Sequence, residues 1–289
     1  MHVFLTGGSG YVGRPTISAL RAAGHEVSAL ARSEKSAGVV RELGATPVAG
    51  SLGDVTVLRD AAAAADAVIH LGADASGDMG AADRIASAAL QDGIAGRPYV
   101  HTGGLWVYGD TDGVATEESP YKAPAITSWR KANERAVLDR AAVGGHPVLV
   151  MPALVFGHQE GLLHNIFAAP SIEAGAVPYI GDGTNYVTMV HVDDVAQLYV
   201  SALAAPAGSV YAGVNGEFLT FGEVAGALSA GLGLGGKTVS ISIEQAREKW
   251  GPLADAFALD QRVSGDKARR ELGWQPVYTD AVATLSRGE

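Results

Sequence analysis

The stretch Thr6-Gly7-Gly8-Ser9-Gly10-Tyr11-Val12-Gly13 decides the fold. It directly follows an apolar run at residues 2–6 and opens an amphipathic stretch at 11–23, where Val12, Ile17, Leu20 and Ala23 recur near one helical face. Pro15 lies early enough in that helix for its missing N–H to cost little, and Gly24 closes it. A strand, a glycine turn and a helix in this order predict a phosphate-binding turn. Gly7 permits the tight bend, Gly10 lets the backbone approach a pyrophosphate, and Gly13 lets helix and strand pack closely, while the helix N-terminus faces the anion. Tyr11 and Val12 fall inside the same turn and join the glycines as cofactor-binding candidates.

Outward from this turn, short apolar runs alternate with longer amphipathic ones. Strands are predicted at 2–6, 26–31, 46–49, 67–71, 98–102 and 147–151, and helices at 54–65, 79–95 and 128–142. Right-handed crossovers then stack helices on both faces of a doubly wound parallel sheet of Rossmann type. After residue 156, glycines at 157, 161, 175, 181 and 183 break the periodicity. The expected organisation is a dinucleotide-binding domain at 1–156 and a smaller, mixed substrate-binding region at 157–289. A strand at 186–191 and a helix at 194–204 place segment 186–205 back on the first domain. Shorter helices are expected near 220–230 and 264–272, with a glycine-rich loop at 231–236.

Composition narrows the function. The 289 residues are 47% hydrophobic and 18% charged, which excludes a disordered chain or a coiled coil. Thirty-one acids against 21 Lys plus Arg give a net charge of −10, so nothing drives general binding to a nucleic-acid backbone. The chain has no cysteine, hence neither thiolate chemistry nor disulfides. No apolar stretch approaches 18 residues, so neither a membrane span nor a membrane partner is expected, and the reading is a cytoplasmic protein acting on a small molecule.

Cofactor choice is written at the end of the second strand, where an acid would bind a ribose 2′-hydroxyl and disfavour a 2′-phosphate. The chain reads Ala31-Arg32-Ser33-Glu34-Lys35 there. Arg32 can fork onto phosphate oxygens, Ser33 can donate to them and Lys35 adds charge, which favours NADP; Glu34 keeps NAD open. Asp54 either caps the third helix or faces the adenine.

Several further motifs accompany the glycine turn: Gly53-Asp54, His70-Leu71-Gly72-Ala73, Val107-Tyr108-Gly109, the run from Met151 to Gly157, the run from Val190 to Ala196, and Glu271-Leu272-Gly273-Trp274. Together they resemble the extended and atypical short-chain dehydrogenase/reductase superfamily, which includes epimerases, dehydratases and reductases, over nearly the whole chain. The resemblance implies that Leu71, Gly72 and Ala73 pass beside the adenosine and phosphates, that Pro152 and Leu154 border the nicotinamide, and that Trp106 and Asn185 lie near substrate. It also implies a homodimer.

The catalytic positions depart from that pattern. The family uses a Ser or Thr after the fifth strand and a Tyr-x-x-x-Lys on the next helix to polarise and protonate the reacting oxygen. Here the hydroxyl position falls on Gly104, leaving Thr102 as the nearby hydroxyl. If Glu134 matches the family's acid, Arg130 takes the lysine place and Ile126 the tyrosine place; matching Lys131 instead puts Thr127 at the tyrosine. Either cation could hold the nicotinamide ribose, and Tyr108 and Tyr121 are the phenols that could replace the lost acid. His191 with Asp193 and Asp194 reads as a helix start, not a metal set, so no metal ligand is assigned. The leading expectation is an NADP-dependent oxidoreductase acting on a small carbonyl or sugar-derived compound. A nonenzymatic NADP sensor and a nucleotide-sugar epimerase or dehydratase are the alternatives.

Overall fold

Near-continuous apolar runs form strands here because helices cover both faces of the sheet, leaving neither face for polar side chains. Val3, Phe4 and Leu5 are fully buried, as are Val68 and Ile69. The computed structural model describes residues 1–74 and 77–289. Among them, seven strands build the central sheet: β1 (His2–Thr6), β2 (Glu26–Ala31), β3 (Thr46–Ala49), β4 (Ala67–His70), β5 (Pro98–Thr102), β6 (His146–Pro152) and β7 (Ser209–Gly213). Their order is β7-β6-β5-β4-β1-β2-β3, every neighbouring pair parallel. Strand order reverses between β1 and β4, which opens a crevice beyond their carboxyl ends.

Helices α1 (Gly13–Ala22), α2 (Glu34–Glu42), α3 (Val55–Ala63), α4 (Met79–Ile94), α5 (Arg130–Leu138) and α6 (Val192–Ala202) flank the sheet. Ile17 and Leu20 of α1 share one core with Val195, Leu198 and Tyr199 of α6. On the other face, Leu58, Leu90 and Val137 from α3, α4 and α5 pack with Phe4, Val68 and Tyr99. The sheet and its helices thus continue to residue 213, past the domain boundary expected at 156, because β7 pairs with β6 from Ser209 to Gly213.

Two other expectations shift. The strand expected at 186–191 is two short ones, Tyr186–Val187 paired with Leu219–Thr220 and Met189–His191 paired with Leu154–Phe156. Between them Thr188 donates its hydroxyl to the Gln261 carbonyl, so the chain changes partners there. The helix expected at 128–142 becomes α5 followed by a 3₁₀ turn, Asp139–Val143. No helix among the described residues is long and apolar enough to cross a membrane.

Asp194 anchors the C-terminal segment to this scaffold. The cap of α6 is His191, whose Nδ1 accepts from the Asp193 amide, which leaves the Asp194 carboxylate to accept from Val277 N at 2.8 Å and Tyr278 N at 2.9 Å. Its carbonyl also accepts from Trp274 Nε1 at 2.9 Å. Asp194→Ala strands two amides and is expected to lower unfolding free energy by about 2–4 kcal/mol, measured by urea denaturation.

Candidate cofactor cleft and catalytic site

Four loops meet at the crevice between β1 and β4. The glycine turn supplies Gly7, Ser9 and Gly10; the end of β2 supplies Leu30 and Arg32, with Ser36 from α2; Gly50, Ser51 and Leu52 follow β3; and Leu71, Gly72, Ala73 and Asp74 follow β4. They enclose about 270 Å³. The turn is closed by a hydrogen bond from Gly10 N to the Gly7 carbonyl at 3.0 Å, and Gly7 sits at φ 74°, a conformation that favours glycine. A Cβ on Gly7 would lie 2.8 Å from Gly72 N, so the two loops touch backbone to backbone.

Of the candidate cofactor residues, Gly7, Gly10, Arg32, Leu71, Gly72 and Ala73 therefore converge on one cleft. Gly13 packs beneath it, against the Gly7 carbonyl. Tyr11 turns away and donates to the Gly157 carbonyl at 2.9 Å, while Val12 heads α1. Ser33 is spent as the cap of α2, accepting from Ser36 N at 3.2 Å, and Lys35 is exposed outside the cleft lining. The two acids nearest Arg32 in the chain's logic are engaged elsewhere. Glu34 pairs with Arg41 at 2.6 Å. Asp54 accepts from Ser51 N and Oγ at 2.6 and 2.8 Å, and neither caps α3 with its side chain nor lines the cleft.

The second cluster lies beyond the ends of β5 and β6. α5 turns Arg130 inward, where Nη1 donates to the Thr102 carbonyl at 3.1 Å, and leaves Lys131 exposed. Of the two cations the sequence offers, Arg130 is the one that turns inward, while Ile126 lies in a separate 3₁₀ turn ahead of the helix. Arg130 Nη1 also stands 3.7 Å from Glu134 Oε1. Glu134 is 1% exposed; its Oε2 accepts from the Tyr121 hydroxyl at 2.7 Å, and its Oε1 has no hydrogen-bond partner among the described residues. Burial pushes this carboxyl up to about 7, opposed by the Tyr121 hydrogen bond and the Arg130 charge and reinforced by the Asp83 charge. A Cβ on Gly103 would meet Oε1 at 2.9 Å, so glycine beside the vanished hydroxyl position makes room for the carboxyl.

Thr102 has its hydroxyl committed, donating to the His70 carbonyl at 2.7 Å and bonded to the Tyr199 hydroxyl at 2.9 Å. Tyr108 is buried edge-on against Tyr121, its hydroxyl 3.5 Å from Met151 Sδ. Burial raises both phenols well above their ordinary range, and the Glu134 charge adds to each. Trp106 stands edge-on to Phe257 and lines a narrow recess with Leu154, Phe221 and Gln261. Pro152 ends β6 opposite Gly213. Asn185 spends its amide on the Phe257 and Leu259 carbonyls at 3.1 and 3.0 Å, tying a loop instead of presenting donors to a ligand.

In the sequence Glu134 serves only to set the register of α5. Its burial depends on Tyr121, thirteen residues away in the chain. The pairing of His70 with His101, which end or nearly end adjacent strands, is likewise invisible in the sequence.

A parallel sheet of this order with a glycine turn at its reversal point is a Rossmann fold of the dinucleotide-binding type. The chain belongs to the NAD dependent epimerase/dehydratase family, which matches residues 3–213. It is 31% identical over 294 residues, 99% of this chain and 98% of the other, to an uncharacterized protein of Schizosaccharomyces pombe. It is 28% identical over 309 residues, covering 95% and 92%, to the 4-hydroxy-2-methyl-3-oxo-4-farnesyl-3,4-dihydroquinoline-1-oxide ketoreductase of Stigmatella aurantiaca. The fold superposes with a TM-score of 0.82 on a double mutant of dTDP-glucose 4,6-dehydratase from Streptomyces venezuelae with NAD bound, at 23% identity and covering 100% and 95% of the two chains.

Proposed function

We propose that the protein is an NADPH-dependent reductase of small carbonyl compounds in which Tyr121 and Glu134 replace the family's tyrosine acid. The observation that carries this reading is the buried Glu134 carboxyl, with one oxygen on the Tyr121 hydroxyl and the other unpartnered beside Gly103 and Arg130. The similarity to a ketoreductase supports the direction of the chemistry.

The Gly7–Gly10 turn and Arg32 would hold the cofactor, whose nicotinamide supplies a hydride to the carbonyl carbon when bound. Tyr121 gives its proton to the carbonyl oxygen as that oxygen gains negative charge. With Glu134 protonated the 2.7 Å contact reverses, and the carboxyl donates to the Tyr121 oxygen and passes it a proton, so the alcohol leaves with one hydride and one proton added and solvent restores the Glu134 proton before the next turnover. Burial makes this phenol release its proton reluctantly and a charged Glu134 adds to that reluctance, so the step needs Glu134 in its protonated form, which donates to the phenolate as it forms. Arg130 fixes the carboxyl and the Thr102 backbone in place.

Preference for NADPH rests on Arg32 at the cleft wall, with Glu34 and Asp54 held by other partners. Arg32→Ala is expected to weaken NADPH binding about 10- to 100-fold while leaving NADH nearly unchanged, the loss of charge-assisted hydrogen bonds to one phosphate. Calorimetric titration with both nucleotides checks it. The reductase reading itself is tested by NADPH oxidation across a panel of ketones, aldehydes and 3-oxo acids. Tight NADPH binding without turnover on any of them overturns it.

A further inference from the structure

β4 and β5 set His70 and His101 side by side in parallel register, and α4 brings Asp83 against both. The imidazoles are 1% and 0% exposed. His70 Nε2 and His101 Nε2 have no hydrogen-bond partner among the described residues. They face Asp83 Oδ1 at 3.6 and 3.7 Å, beyond hydrogen-bond reach. Their remaining side-chain polar atoms are engaged. His70 Nδ1 meets Thr6 Oγ1 at 2.6 Å, His101 Nδ1 meets the Tyr99 hydroxyl at 2.9 Å, and Asp83 Oδ2 accepts from Asn133 Nδ2 at 2.9 Å. Each unmet buried nitrogen costs about 1–3 kcal/mol, so two of them converging on one carboxylate oxygen call for a shared occupant.

We propose that His70, His101 and Asp83 bind one divalent cation of the zinc class through the two Nε2 atoms and Oδ1, with the fourth position open to water. Tetrahedral zinc with bonds of about 2.0–2.1 Å holds its ligand atoms about 3.3 Å apart. The two imidazole-to-carboxylate separations of 3.6 and 3.7 Å need to close by a few tenths of an ångström, and all three ligand atoms lie within 4.8 Å of one another. Two imidazoles with one carboxylate suit zinc, cobalt or nickel better than magnesium or calcium, which take oxygen shells. The surroundings complete the arrangement. With metal on Nε2, each Nδ1 carries a proton, which Thr6 Oγ1 and the Tyr99 hydroxyl accept, and Asn133 orients the carboxylate. Thr6 Oγ1 also accepts from Gly72 N at 3.0 Å, so the cation would brace the loop that forms one wall of the cofactor cleft. The site is independent of which substrate the enzyme reduces.

The test uses full-length, tag-free protein dialysed against a chelator, then titrated separately with zinc chloride and cobalt chloride. Saturation at about one ion per chain is expected, with visible ligand-field bands for cobalt and a rise in Tm for either metal. Asp83→Asn and His70→Gln are expected to weaken zinc binding by more than about 100-fold, and Tyr99→Phe, which keeps all three ligands, by about 10- to 100-fold. His158→Ala dismantles the partly exposed group of His158, His191 and Asp193 and is expected to change neither stoichiometry nor affinity. Wild-type protein that takes up neither metal overturns the proposal, as does an ion lost in His158→Ala but kept in Tyr99→Phe with unchanged affinity. Should the ligand variants fail to fold, the wild-type titration and these last two variants still decide it.

Discussion

Gly13→Ala is expected to lose NADPH binding by more than about 100-fold and to destabilise the fold by about 3 kcal/mol. The new Cβ would stand 2.0 Å from the Gly7 carbonyl oxygen and 2.8 Å from Gly7 C and Gly8 Cα. All three are backbone atoms, so no side chain can rotate aside. The carbonyl cannot swing away either, because it accepts from Gly10 N at 3.0 Å, and Gly7 in turn rests on Gly72. Relief comes only by tilting α1 off the turn, which separates the cleft's floor from its wall. Gly38 provides the contrast. It lies inside α2 with nothing within 4 Å of its Cβ position, so Gly38→Ala should stabilise by about 0.5–1 kcal/mol through reduced freedom of the unfolded chain. Thermal unfolding and NADPH titration of the two variants check both. Wild-type affinity in a folded Gly13→Ala protein would mean that this turn is not where the phosphates bind.

The cradle was legible because its information is local: a strand, small residues at fixed spacing and a helix follow one another in thirteen residues. Hydrogen-bond assignments at loop residues were less so. Ser33 and Asp54 carry the right groups at the right distance along the chain, yet short polar side chains satisfy neighbouring amides first, Ser33 with Ser36 and Asp54 with Ser51. Asn185 illustrates the same competition at longer range, its two N–H bonds drawn to a backbone segment more than seventy residues later. Thr102 could be placed at a strand end from sequence, but not the Tyr199 hydroxyl that occupies it, since Tyr199 arrives from α6 on the far side of a crossover. Which cation of α5 faces inward was not legible either: only one of two adjacent residues can do so on a helix, and Arg130 does.

Glu134→Gln is expected to reduce kcat by about 10² to 10⁴ with NADPH affinity little changed, the usual span for removing a positioned general acid. Glutamine keeps the size and can still accept from Tyr121, so the loss isolates the proton. The pH dependence supplies a second readout. Wild-type kcat should fall as pH rises through about 7, where Glu134 becomes a carboxylate, and the glutamine variant should not follow that fall. Stability carries the same signature. The folded-state value lies above the ordinary 4.5, so the native protein holds more protons than the unfolded chain between the two. The Glu134 contribution is therefore complete below about 4.5 and lost as pH rises through about 7, and wild type should lose about 3 kcal/mol relative to Glu134→Gln across that window. The groups facing this carboxyl are Tyr121 from its loop, Arg130 one turn earlier on α5 and Asp83 from α4, all unchanged in the variant. Tyr121→Phe separates position from acidity: it should cost a comparable factor in kcat yet keep the stability slope, because the buried carboxyl remains. Equal turnover of wild type and Glu134→Gln at pH 6 would remove Glu134 from the proton route.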